Sequence, residues 1–252
     1  TISGPNNYSK EITFAQFTNG SYTESDLVPG EYTVTESNTT LENYQITTTY
    51  AVGSDATNVV NLTHEGATVA FTNDYNKQEG SLTVTKTWSG DHALLTEAQK
   101  NAVTFTVTGP KQKSDDENTY STSFTYADME GGSKTLTGLT LGEYTVTETN
   151  ANYTGFTVAT KYEVGAAETN KATVTDGGNA TVAVTNTVTQ LHGGLTITKS
   201  WTGDTANLSA DYKNAIKFTI TGPNSYSEEV LYSAFKDGSY TESDLVPGEY
   251  TV

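Results

Sequence analysis

The chain has 252 residues, 34% of them hydrophobic, with 22 Gly, 16 Tyr and no Cys; 30 Asp and Glu stand against 13 Lys and Arg, for a net charge of −17. That charge argues against binding to a nucleic-acid backbone or an anionic membrane, and the missing cysteine rules out disulfides as the staple of thin domains. No stretch approaches the apolar length of a membrane span.

Taken in chain order, the first landmark is Gly30-Glu31-Tyr32-Thr33-Val34-Thr35-Glu36. It returns as Gly142-Glu143-Tyr144-Thr145-Val146-Thr147-Glu148 and again at 248–252. A second landmark, Val69-Ala70-Phe71-Thr72-Asn73, returns as Val182-Ala183-Val184-Thr185-Asn186, and a third, Leu82-Thr83-Val84-Thr85-Lys86-Thr87-Trp88, returns at 195–201; both recur 113 residues on. These landmarks divide the chain into three repeats: 1–79, without a lysine strand; 80–189, with all three landmarks; and 190–252, without an asparagine strand. Residues 20–34 recur letter for letter at 238–252, the pattern of a window cut from a longer tandem array. The connections at 76–80 and 190–194 are short, which predicts a beaded rod rather than a flexible string.

Within the middle repeat, alternating runs bounded by Gly, Asn and Asp predict strands over 82–88, 103–108, 121–126, 133–137, 142–149, 156–164, 171–175 and 180–187. The fold class is therefore all-β: tandem antiparallel sandwiches of immunoglobulin-like type, each with a short helical crossover. Thr96 and Gln99 have the spacing of a capping box, predicting a short helical crossover between strands, and 111–118 reads as an exposed loop.

Side chains alternate across a strand, so Leu82, Val84, Lys86 and Trp88 share one face, Tyr144, Val146 and Glu148 another, and Val182, Val184 and Asn186 a third. Each row is apolar until a polar residue near its end. Unpaired burial of an ammonium, a carboxylate or an amide costs several kcal/mol, on the order expected for orphaned polar groups in a core, so the three should meet. Two readings stand side by side. In one, Lys86 and Glu148 form a buried ion pair that Asn186 completes. In the other, a desolvated lysine loses its proton, becomes a nucleophile and attacks the Asn186 side-chain amide, while a desolvated Glu148 shuttles protons and ammonia leaves.

The three spaced strands resemble the B-type repeats of Gram-positive collagen adhesins and pilins, the Cna-B family, over the whole chain. The resemblance implies a prealbumin-like sandwich whose first and last strands are joined by an autocatalytic Lys–Asn isopeptide bond. Carried over by position, Lys86 and Asn186 are the bonded pair and Glu148 the assisting acid. Glu36 holds the same role in the first repeat, and Asn73 and Lys199 are crosslink candidates without partners in their own repeats. The implied function is a stalk or filament shaft outside the cell, at the cell surface or wall-attached, with its anchor beyond this segment. It would work without a cofactor and catalyse nothing but its own single crosslink. Its partners would be neighbouring repeats, with self-assembly into fibres open and a host ligand unspecified; the alternative is an adhesin module that itself binds a host protein or glycan.

Other features carry blander expectations. His64, His92 and His192 lack metal-ligand spacing. Asp115, Asp116 and Glu117 read as a solvated turn rather than a calcium loop. Trp88 and Trp201 follow core faces and are expected to be buried, whereas Thr83, Thr85 and Thr87 should line the wet face of their strand.

Overall fold

The computed structural model describes residues 1–113 and 116–252. Asp115 of the acidic cluster lies outside the described residues. The chain divides into two units: Thr1–Gly80 with Thr175–Gly178, and Ser81–Val174 with Asn179–Val252.

The first unit contains β1 (Ile2–Gly4), β2 (Tyr8–Lys10), β3 (Gly30–Val34), β4 (Tyr44–Ala51), β5 (Val59–Leu62) and β6 (Ala70–Lys77). One sheet has the order β2-β1-β3-β5, and β4 pairs with β6 in another. The helical crossover expected of every repeat is absent from the described residues of this unit, where the helical pieces are single 3-10 turns such as Phe14–Gln16. The segment that forms the crossover elsewhere follows a lysine strand, and 1–79 carries no lysine strand.

The second unit opens with β7 (Glu79–Gly90), which begins in the first, and the helix α1 (Glu97–Asn101). There follow β8 (Thr104–Gly109), β9 (Tyr120–Thr125), β10 (Ser133–Thr140), β11 (Gly142–Thr149), β12 (Phe156–Glu163), β13 (Lys171–Val174) and β14 (Asn179–Gln190). Two four-stranded sheets, β10-β7-β14-β12 and β13-β11-β8-β9, make the sandwich. The inward rows of both sheets form its core, with Leu82, Val84, Phe105, Val107, Tyr144, Val146, Val182 and Val184 fully buried. Burial of such side chains, at roughly 1.5–3 kcal/mol each, is the main force that closes the two sheets. Thr96 caps α1 as its sequence predicts, accepting from the Gln99 backbone while Gln99 Oε1 accepts from the Thr96 backbone.

Three expectations need correction. The sandwich is not purely antiparallel, since β7 and β14 run parallel, Lys86 opposite Val184 and Trp88 opposite Asn186. The first and last strands of the repeat thus lie side by side, a pairing that periodicity within either strand cannot reveal. Thr83 is buried rather than wet, because β7 is an inner strand and its outer face is covered there by hydrogen bonds to Thr135 and Asn179. Trp88 and Trp201 are half-buried. Both lie at the ends of their core rows, where Trp88 packs edge-on against Tyr126 and Trp201 against Tyr232.

The rest of the second unit is β15 (Gly193–Thr198), α2 (Ala210–Asn214), β16 (Lys217–Gly222), β17 (Tyr226–Leu231) and β18 (Ser239–Leu245). β15 pairs with β18 and β16 with β17 around Ile197, Ile220 and Val230.

The repeated tyrosine has the same job in every copy. Tyr144 donates to Thr140 O, Tyr32 to Val28 O and Tyr250 to Val246 O, each at 2.9 Å, pinning the segment that leads up to it. A Cβ on Gly109 would lie 2.3 Å from the Tyr144 ring, so only glycine lets β8 pass beneath it.

Candidate functional site

β7 and β14 are neighbours, so the inner-face Lys86 and Asn186 lie on adjacent strands of one sheet, while Glu148 reaches them from β11 in the facing sheet. Lys86 Nζ sits 2.9 Å from Glu148 Oε2, and both side chains are sealed from solvent, 0% and 1% exposed. Asn186 is fully buried and donates from Nδ2 to the other carboxyl oxygen, Oε1, at 2.6 Å. One carboxyl group therefore holds the amine on one oxygen and the amide nitrogen on the other.

The satisfaction of these groups is incomplete. Nζ and Oε2 lie within ion-pair distance but out of hydrogen-bond alignment, and Asn186 Oδ1 has no partner. Buried polar atoms are rarely left so, and each such atom calls for an explanation, a catalytic role among them. Burial is the larger influence on the lysine. It pushes Lys86 from its ordinary 10.5 down to about 8, against the opposing pull of Glu148. The Trp88 ring lies 4.6 Å from Nζ and helps close the site.

The edge strand β12 adds two residues that the sequence reading did not single out. Tyr162 accepts through its hydroxyl from the Glu148 backbone N–H at 2.9 Å, fixing the end of β11. Thr160 stands directly opposite Asn186 and donates to Glu148 Oε1 at 3.4 Å. Alternation along 156–163 puts both on one face. The available signal was the first repeat, where Thr48 and Tyr50 hold the same places opposite Asn73 and Phe71.

That first repeat carries a related arrangement. Asn73 donates to Glu36 Oε1 at 2.9 Å, and Thr48 donates to Asn73 Oδ1 at 2.7 Å; Glu36 is exposed. In the third repeat Lys199 is half-buried, with Nζ 5.0 Å from the Trp201 ring, echoing Lys86 over Trp88. Among the described residues no group of three or more His, Asp or Glu is placed to hold a metal ion. No described helix is long and apolar enough to cross a membrane.

Residues 82–189, which contain the whole Lys86–Glu148–Asn186 constellation, match a family model described as Domain of unknown function (DUF5979). No curated protein matches the chain. Similar solved structures include adhesins and pilins. A bacterial adhesin from Mobiluncus mulieris, containing intramolecular disulfide, isopeptide and ester bond cross-links, is 23% identical over 54% of this chain and 50% of its own, with a TM-score of 0.34. The major pilin of Streptococcus pyogenes is 17% identical over 74% of this chain and 89% of its own, with a TM-score of 0.37. Two B repeat units of the collagen-binding protein of Staphylococcus aureus are 15% identical over 84% of this chain and 62% of theirs, with a TM-score of 0.35. The chain spans about half the length of the Mobiluncus adhesin structures it matches. These neighbours include the domain type that the strand motifs resemble.

Proposed function

We propose that the chain is part of the shaft of a surface stalk or filament of a Gram-positive cell, stiffened by an isopeptide bond between Lys86 and Asn186. The observation that carries this reading is the shared carboxyl group of Glu148, with the amine 2.9 Å from Oε2 and the amide nitrogen 2.6 Å from Oε1.

The chemistry follows from that geometry. Neutral Lys86 Nζ attacks Asn186 Cγ, and the new C–N bond leaves Oδ1 negatively charged. Glu148 Oε2 takes a proton from Nζ, and the carboxyl returns one through Oε1 to Nδ2. The Cγ–Nδ2 bond then breaks and ammonia departs, leaving a secondary amide. Positioning supplies much of the acceleration, because the fold holds amine and amide on one acid before reaction. Each chain reacts once, on itself, so the product is a structural feature and no external substrate is turned over.

The bond would enclose about 100 residues between the first and last strands of the repeat. By the chain-entropy relation for crosslinks, that loop is worth on the order of 4 to 5 kcal/mol, a large part of a small domain's stability. For a shaft the mechanical consequence matters more. Tension entering at β7 and leaving at β14 is carried by a covalent bond rather than by a ladder of hydrogen bonds.

Single-molecule pulling tests this role. In the wild-type chain the 86–186 segment should stay locked. In a Glu148→Ala variant the same segment should extend by roughly 330–360 Å more, at about 3.3–3.6 Å per residue. Equal extension in the two proteins would remove the load-bearing role.

A further inference from the structure

Glu148 spends both carboxyl oxygens on the two nitrogens, which leaves the third reacting atom, Asn186 Oδ1, buried without a hydrogen-bond donor. During attack at Cγ this atom acquires a full negative charge. A buried oxyanion with no donor is costly, and acyl-transfer sites usually meet that charge with a placed N–H or O–H.

The register of β12 against β14 supplies one. Thr160 is the direct cross-strand neighbour of Asn186 on the inner face, and its hydroxyl rests at 3.4 Å on Glu148 Oε1, the oxygen that also receives Asn186 Nδ2. At that length the bond is weak, so the hydroxyl is free to turn. The first repeat shows where it turns. Thr48 stands opposite Asn73 in the same register, and its hydroxyl donates to Asn73 Oδ1 at 2.7 Å while Asn73 Nδ2 stays on Glu36 Oε1.

The other donor at hand is Trp88 Nε1, on the residue opposite Asn186 from the β7 side. Its counterpart Trp201 sends Nε1 to the Tyr232 hydroxyl at 3.1 Å, and Trp88 stacks edge-on against Tyr126, the residue equivalent to Tyr232. Trp88 Nε1 itself has no hydrogen-bond partner, and its ring packs edge-on against Tyr126 as Trp201 does against Tyr232. Packing gives no reason for a hydroxyl at 160, since the side chain sits at the exposed rim of the site.

We propose that the Thr160 hydroxyl is the oxyanion donor of the crosslinking reaction, binding Asn186 Oδ1 as Lys86 attacks and holding the amide plane for that attack. The proposal rests on the crosslink reading above. Thr160 neither gains nor loses a proton overall. It donates one hydrogen bond to Oδ1, which ends as the carbonyl oxygen of the new amide, while the proton traffic stays on Glu148.

The test uses the full chain recovered unfolded from inclusion bodies and then refolded. Folding is followed by tryptophan fluorescence, and loss of ammonia by intact mass. Thr160→Val and Thr160→Ala should fold at the wild-type rate and lose ammonia roughly 100- to 1,000-fold more slowly. Thr160→Ser, which keeps the hydroxyl, should react at close to the wild-type rate. The pH at which the rate levels off should be the same in all four proteins, because the hydroxyl does not set the charge of Lys86. Wild-type rates in both the valine and the alanine variants would overturn the assignment. A wild-type chain that refolds and never loses ammonia would overturn the crosslink reading, and this assignment with it.

Discussion

Burial holds Lys86 at a pKa of about 8, and only its neutral form can attack an amide. The sign follows directly. Below pH 8 the neutral fraction grows about tenfold per pH unit, and above it the fraction levels off. The rate of crosslinking in freshly refolded chain should therefore rise steeply from pH 6 to 8 and flatten beyond. A rate independent of pH over that range would mean that Lys86 is already neutral there, or is not the nucleophile. At this scale the sequence is informative for residues on strands with strong apolar rows. Lys86, Glu148 and Asn186 each interrupt such a row, and alternation alone turns them inward. Thr160 and Tyr162 give no such signal, because β12 is an edge strand with a mixed row. Their role depends on which strand lies beside β14, and that is set by contacts distant in sequence.

Among the elements, an identical heptapeptide adopts two structures. Ser239–Leu245 forms β18 and pairs with β15, and its predecessor Gly238 accepts from the Lys199 N–H at 2.8 Å. The same seven residues at 21–27 have no strand aligned along them and are not a strand beyond an isolated bridge at Ser21. Strand propensity did not decide the difference, since the letters are the same; the lysine-bearing neighbour did. Amide hydrogen exchange should accordingly be slower across 239–245 than across 21–27 under one set of conditions. Equal protection would show that β15 does not stabilise β18. The middle repeat follows the same logic. Its strand positions and the capped helix at Thr96 were legible because each rests on local pattern. The parallel β7–β14 pairing and the burial of Thr83 were not, because both arise from neighbours that the fold brings in from elsewhere.

For the molecule as a whole, the same strand landmarks recur along the chain, and the repeats differ in what they place at the crosslink position. The middle repeat brings amine, acid and amide together. The first holds acid, amide and threonine in a similar geometry, and the third holds a lysine over its tryptophan. With no cysteine in 252 residues, disulfides contribute nothing to stiffness, and the proposed amide bond takes that part. The most direct test is the mass of the folded 252-residue chain, followed by proteolysis and tandem mass spectrometry. The proposed chemistry predicts a deficit of one ammonia, traced to a branched peptide joining Lys86 to Asn186, and a full calculated mass in the Glu148→Ala variant. A wild-type chain at its full calculated mass, with Lys86 and Asn186 recovered on separate unmodified peptides, would contradict it and leave a buried ion pair in place of the bond.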